Sequence, residues 1–145
     1  MLPEGKMIRD ARALFLCKEL HARFRGFGYS EFSSMTKLTG DTGAKRKEKI
    51  LKFGYDPKNA MNVIRLLRQG IELLETGLLT MPRPDRKELL EIKLGKWSYK
   101  RIANTVTELF DEIDVAKDKI FLPDKTRYED VDDLLLKILK FHHGL

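Results

Sequence analysis

The chain has 145 residues, 42% of them hydrophobic and 34% charged, with a mean hydropathy of -0.38, ordinary values for a globular chain of about one domain that exclude a disordered or fibrous protein. The 28 Lys and Arg against 22 Asp and Glu leave a charge of +6, and the excess is uneven: residues 1–70 hold 15 basic and 7 acidic side chains, residues 71–145 hold 13 and 15. A basic half of this kind points to an anionic partner, nucleic acid or a nucleotide.

The apolar positions Ile8, Ala11, Leu14, Phe15, Cys17, Leu20 and Phe24 predict a first helix over Met7 to Phe24, broken by Gly26 and Gly28, with a second short helix from Tyr29 towards Leu38. Gly40-Asp41-Thr42-Gly43 reads as a turn, and the run from Ala44 to Leu51 as a short basic helix ended by Gly54. Asp56 is placed to cap a long helix with Pro57 in its first turn, where no N–H is needed. That helix, from Lys58 to Glu75, is apolar almost all round and predicts the centre of the domain. Lys58, Asn62, Arg65 and Gln69 recur at i, i+4, i+7 and i+11 and form its one polar stripe.

Gly77 ends the helix, and Leu78-Leu79-Thr80-Met81 reads as one arm of a minor β-hairpin. Asp85 starts a helix that Gly95 stops, and Ser98 starts the next, with Trp97 placed to staple it. Pro123 precedes a last helix, Tyr128 to Phe141. The reading is a single all-α domain over 1–145, a compact bundle of five to six helices.

No window approaches eighteen consecutive apolar residues and the start, MLPEGKMIRDAR, has no apolar signal core, so the expectation is a soluble cytoplasmic protein with no membrane partner. One cysteine and three histidines supply neither an internal disulfide nor a structural zinc set. The phosphate-loop, dinucleotide, metalloprotease, serine-hydrolase and CxxC motifs are all missing. Cys17 and His21 stand at i, i+4 but read as packing, and Asp130, Asp132 and Asp133 as acids that favour a helix N-terminus. No catalytic or metal-ligating residue is assigned. An apolar helix keeps Lys58 and Arg65 on one stripe only if that stripe meets water, an opposite charge or a phosphate, which makes it the site candidate.

The run FGYDPKNAMNVIRLLRQGIELLETG, then PDRKELLEIKLGKWSYKRI, resembles the helical C-terminal part of predicted nucleotidyltransferases of the DNA polymerase β superfamily of bacteria and their phages. The upstream run RDARALFLCKELHARFRGFGYSEFSSM is similar to the helix-and-turn that follows that family's catalytic domain, so the resemblance covers nearly the whole chain. It implies that Lys58, Asn62, Arg65 and Arg68 face a nucleotide-binding cleft. The chain departs from the family in having neither the catalytic Gly-Ser motif nor the metal-binding aspartates, and in placing Asn59 and Asn62 where histidines are frequent. The resemblance therefore implies a non-catalytic half, with no cofactor of its own and Mg2+ only where a separate catalytic domain is present.

Two function classes follow. In the first, the chain binds nucleotide or RNA or DNA, with tRNA one such partner: Lys58, Asn62, Arg65 and Arg68 meet phosphates, Lys45, Arg46, Lys47 and Lys49 track a nucleic-acid backbone, and Tyr29 and Tyr55 stack on bases. In the second, it is a stand-alone phage-type interaction module, inhibitor or antitoxin-like, that acts on a protein partner.

Overall fold

The computed structural model describes residues 2–38, 43–118 and 122–144. All regular structure in them is helical: α1 (Pro3–Asp10), a 3-10 helix (Arg12–Phe15), α2 (Glu19–Ser34), α3 (Ala44–Phe53), α4 (Pro57–Thr76), α5 (Arg86–Lys93), α6 (Tyr99–Asp118) and α7 (Tyr128–His143). The all-α expectation holds, with seven α-helices where five to six are expected. Among the described residues no helix is long and apolar enough to cross a membrane. The turn expected at 40–43 falls, apart from Gly43, outside the described residues.

The chain, expected to form one domain, divides into two compact units, residues 1–20 with 121–145 and residues 21–120. In the larger unit α4 is central and packs against α3, α5 and α6. Its Ala60, Val63, Ile64, Leu67 and Leu74 are buried with Ile92, Ile102, Val106 and Ile113 from the neighbours, each large apolar side chain contributing roughly 1.5–3 kcal/mol of burial. Asp56 caps α4 as expected, its Oδ1 accepting from the N–H of Lys58 at 2.9 Å and of Asn59 at 3.4 Å. Gly54 ends α3 at φ +80, a left-handed conformation in which its missing side chain removes the steric penalty.

Three local expectations are corrected. The break near the N-terminus lies at 16–18, and α2 runs through Gly26 and Gly28. Gly28 is buried because α2 approaches α4 there: a Cβ on it would lie 2.9 Å from Leu67 Cδ2, so close packing outweighs the helix-propensity penalty of glycine. No strand forms at 78–81. The Leu78 N–H donates to Thr76 Oγ1 and the Thr80 N–H to Glu72 Oε1, so groups of α4 take the donors a hairpin would use. At α5, Asp85 sits at the N-cap position without a capping hydrogen bond, because arginines claim its carboxylate.

The smaller unit joins α1, the 3-10 helix and α7. Its ties are the Lys18 N–H donating to Pro123 O at 2.9 Å, the Lys18–Asp124 ion pair at 2.9 Å and a Glu4–His142 pair at 3.0 Å. Cys17 is buried at the joint before α2, not on a helical stripe, with Thr126 Oγ1 3.6 Å from its Sγ.

Candidate phosphate-binding site

The basic run of α3 and the start of α4 meet at one groove, an open cavity of about 350 Å3 lined by Lys45, Arg46, Lys49, Asp56, Lys58 and Asn59. Sequence places these residues on two elements; the turn at Gly54 and the Asp56 cap fold α3 back beside the N-terminus of α4, which brings the cations together. The floor is a fixed polar network. Asp56 is buried, and its backbone N–H donates to Met35 O at 2.9 Å. Its Oδ1 holds the α4 cap, and its Oδ2 lies 3.0 Å from Arg46 Nε, an ion pair without hydrogen-bond angles. Arg46 also donates from Nη2 to Ser34 O at 3.0 Å, and Asn59 Nδ2 to Ser34 Oγ at 3.3 Å.

Four cations thus surround one carboxylate whose two oxygens are committed. Lys45, Lys49 and Lys58 are exposed and, among the described residues, have no acidic partner at ion-pair distance. An ammonium on a flexible stem suits a phosphate oxygen as a point charge, and Arg46, already engaged on two of its nitrogens, holds α2, α3 and α4 in register.

The other expected site residues lie elsewhere. Asn62 and Arg65 are half-buried further along α4 and do not line the groove; Arg65 Nη1 donates to Gln69 Oε1 at 3.4 Å, and Gln69 is buried. Arg68 is committed to Asp85 at 2.9 Å and Glu88 at 3.0 Å. Its desolvation works against the charge, but the hydrogen bonds it donates to Glu88 and Asp85 outweigh it and hold its pKa above the ordinary arginine value. Arg83 extends the network, pairing with Glu72 and with Asp85 at 3.1 Å. The carboxyl of Asp85 is opposed by burial yet sits below its ordinary value because Arg68 and Arg83 hydrogen-bond it. Glu72 is lowered too, first by the Thr80 hydroxyl and also by Arg83. This cluster ties α4 to α5 and takes Arg68 out of a ligand role.

Tyr55 is fully buried, its hydroxyl donating to Trp97 O at 2.6 Å, and burial raises its pKa; in this fold no base reaches its ring. Tyr29 is exposed on α2, Phe32 half-buried, and Lys47 exposed but outside the groove. His21 does not pair with Cys17: its Nε2 is 2.6 Å from Asp114 Oδ1, and Arg25 Nε donates to the same oxygen at 2.8 Å. Burial opposes the Asp114 charge, but the His21 and Arg25 hydrogen bonds hold its carboxyl below the usual value. Among the described residues no group of three His, Cys, Asp or Glu is placed to hold a metal ion. Asn59, which lines the groove, and Ser34, which accepts from Asn59 and Arg46 behind it, are not among the expected site residues; Ser34 is 25 positions from Asn59 and carries no local signal.

No family model matches the chain, and no solved structure matches it. Over 83 residues it is 28% identical to an uncharacterized 38.9 kDa protein in the nrdC-mobD intergenic region of Enterobacteria phage T4, a match that covers 57% of this chain and 25% of that protein. The chain therefore spans about a quarter of the length of this curated relative.

Proposed function

We propose that the chain is a non-catalytic helical module that binds the phosphates of nucleotides or nucleic acid at the groove between α3 and the start of α4. One observation carries this reading: Lys45, Lys49 and Lys58 converge on a groove whose only carboxylate among the described residues, Asp56, is spent on the α4 cap and on Arg46. The basic surplus of the first 70 residues supports it. In this reading the chain works in the cytoplasm of a bacterial or phage-infected cell beside a separate nucleotidyltransferase domain, which supplies the catalytic carboxylates and their Mg2+. The similarity to a phage T4 protein fits a phage-infected cell.

The test is fluorescence anisotropy of labelled tRNA at low and physiological salt. Wild type is expected to saturate with a steep loss of affinity as salt rises. The Lys49→Ala/Lys58→Ala pair is expected to bind roughly tenfold or more weakly, since two phosphate contacts are lost. Arg65→Ala, outside the groove, is expected to bind as wild type does. Equal binding by the double variant and wild type would sink the proposed site.

A second reading rests on α7, which has no buried residue and exposes Leu135, Leu136, Leu139 and Phe141, an apolar surface of the kind that docks a protein partner. An absence of tRNA binding at either salt transfers the weight to it.

A further inference from the structure

Next to the first groove lies a second cavity of about 340 Å3, lined by Lys45, Glu48, Lys49, Lys52 and Phe53. The two share Lys45 and Lys49. Lys45, Lys49 and Lys52 stand at i, i+4 and i+7 of α3 and so form one stripe along it. At about 1.5 Å per residue the stripe covers roughly 10 Å of helix axis, a length of duplex axis along which one strand carries about three phosphate charges. Lys58 adds a fourth cation at the α4 end.

Neither cavity offers a base an aromatic face to stack on. The first has no aromatic residue. In the second, the Phe53 ring is packed on Gly95, where a Cβ would lie 2.4 Å from it, and Lys52 Nζ lies 5.2 Å from its centroid. Binders of single strands combine a basic groove with aromatic platforms on which bases stack, and a lone mononucleotide needs a seat for its base. Neither is provided.

From this juxtaposition we infer that the ligand of the α3 face is the phosphodiester backbone of double-helical nucleic acid, held by Lys45, Lys49, Lys52 and Lys58 without reading sequence. The inference rests on the phosphate-binding reading above and adds Lys52 and the duplex to it. Glu48 lines the second cavity as Asp56 lines the first, and unlike Asp56 it has no cation at ion-pair distance among the described residues, which keeps attraction there moderate.

The experiment uses the full chain and labelled 16-base-pair DNA and RNA duplexes, single strands of the same length, and ATP as competitor, at 50 to 200 mM salt. Four neutralised phosphates give a slope of log Kobs against log salt of about -3.6, a loss of about a hundredfold over that range. Both duplexes are expected to bind with little dependence on sequence, and Lys52→Ala to make the slope shallower by about 0.9 with unchanged helical circular dichroism. Tighter binding of single strands than of duplexes, competition by ATP at comparable concentration, or an unchanged slope in Lys52→Ala overturns the inference and leaves the phosphate-binding reading standing. Failure of duplexes, single strands and ATP alike overturns both.

Discussion

Arg68 and Asp85 show how a side chain's partners decide its role. Arg68, which the resemblance groups with Lys58, Asn62 and Arg65 as an expected phosphate ligand, is held in the fold between Asp85 and Glu88 at 2.9 and 3.0 Å and serves the α4–α5 junction. The Asp85 carboxyl lies below its ordinary 3.8, so its contribution to stability is present in full above that value and is lost as pH falls through the lower folded-state value. Asp85→Asn is therefore expected to destabilise the protein at neutral pH by about 1.5–3 kcal/mol, the range for a hydrogen bond to a charged group. In urea melts taken from pH 7 down to pH 2 the gap between variant and wild type should close below about pH 4. A gap that stays constant through that range would mean that Asp85 acts by packing alone.

At the scale of elements, the glycines of α2 and α4 make opposite predictions. Gly26 has open space around its missing Cβ, whereas a Cβ on Gly70 would lie 2.8 Å from Phe24 Cβ and Cγ and 2.9 Å from Ile113 Cδ1. Gly26→Ala is expected to stabilise by about 0.5–1 kcal/mol through helix propensity, and Gly70→Ala to destabilise by about 1–3 kcal/mol through overpacking, both read from urea denaturation midpoints. The helices themselves are legible in the sequence because their signals are local: Asp56-Pro57, Gly54 and Gly77 mark ends wherever the chain goes, and α4 carries its burial in its own periodicity. The helical Gly28 is not, because a glycine in sequence carries only its propensity cost, and the neighbour whose close packing offsets that cost, Leu67, is 39 positions away; the break at 16–18 falls at Leu16-Cys17-Lys18, which holds neither glycine nor proline to mark it. The groove is half legible. Its lysines and Lys58 stand out by charge, but the Asp56–Arg46–Ser34 network that assembles them exists only after α2, α3 and α4 have met.

Across the whole molecule, burial is unequal. The unit of residues 21–120 holds nearly all the buried side chains, while α1, the 3-10 helix and α7 have none and their unit contributes Cys17. Amides of α4 and α6 are expected to exchange hydrogen only through the largest openings of the protein, and those of α1 and α7 through openings of much lower free energy, which hydrogen exchange read by mass spectrometry resolves segment by segment. Equal protection of α7 and α4 would show that the apolar face of α7 is covered in solution.

The ion pairs divide the positive residues by type. Among the described residues six arginines, 9, 25, 46, 68, 83 and 127, stand within ion-pair distance of an acid, and Lys18 alone of the lysines does. These six arginines are tied to acids, whereas every described lysine but Lys18 is exposed. The two can therefore vary separately: a point change at Lys45, Lys49, Lys52 or Lys58 alters the outward charge without breaking an ion pair among the described residues, whereas one at Arg46, Arg68 or Arg83 removes a tie between helices or to the chain beside them.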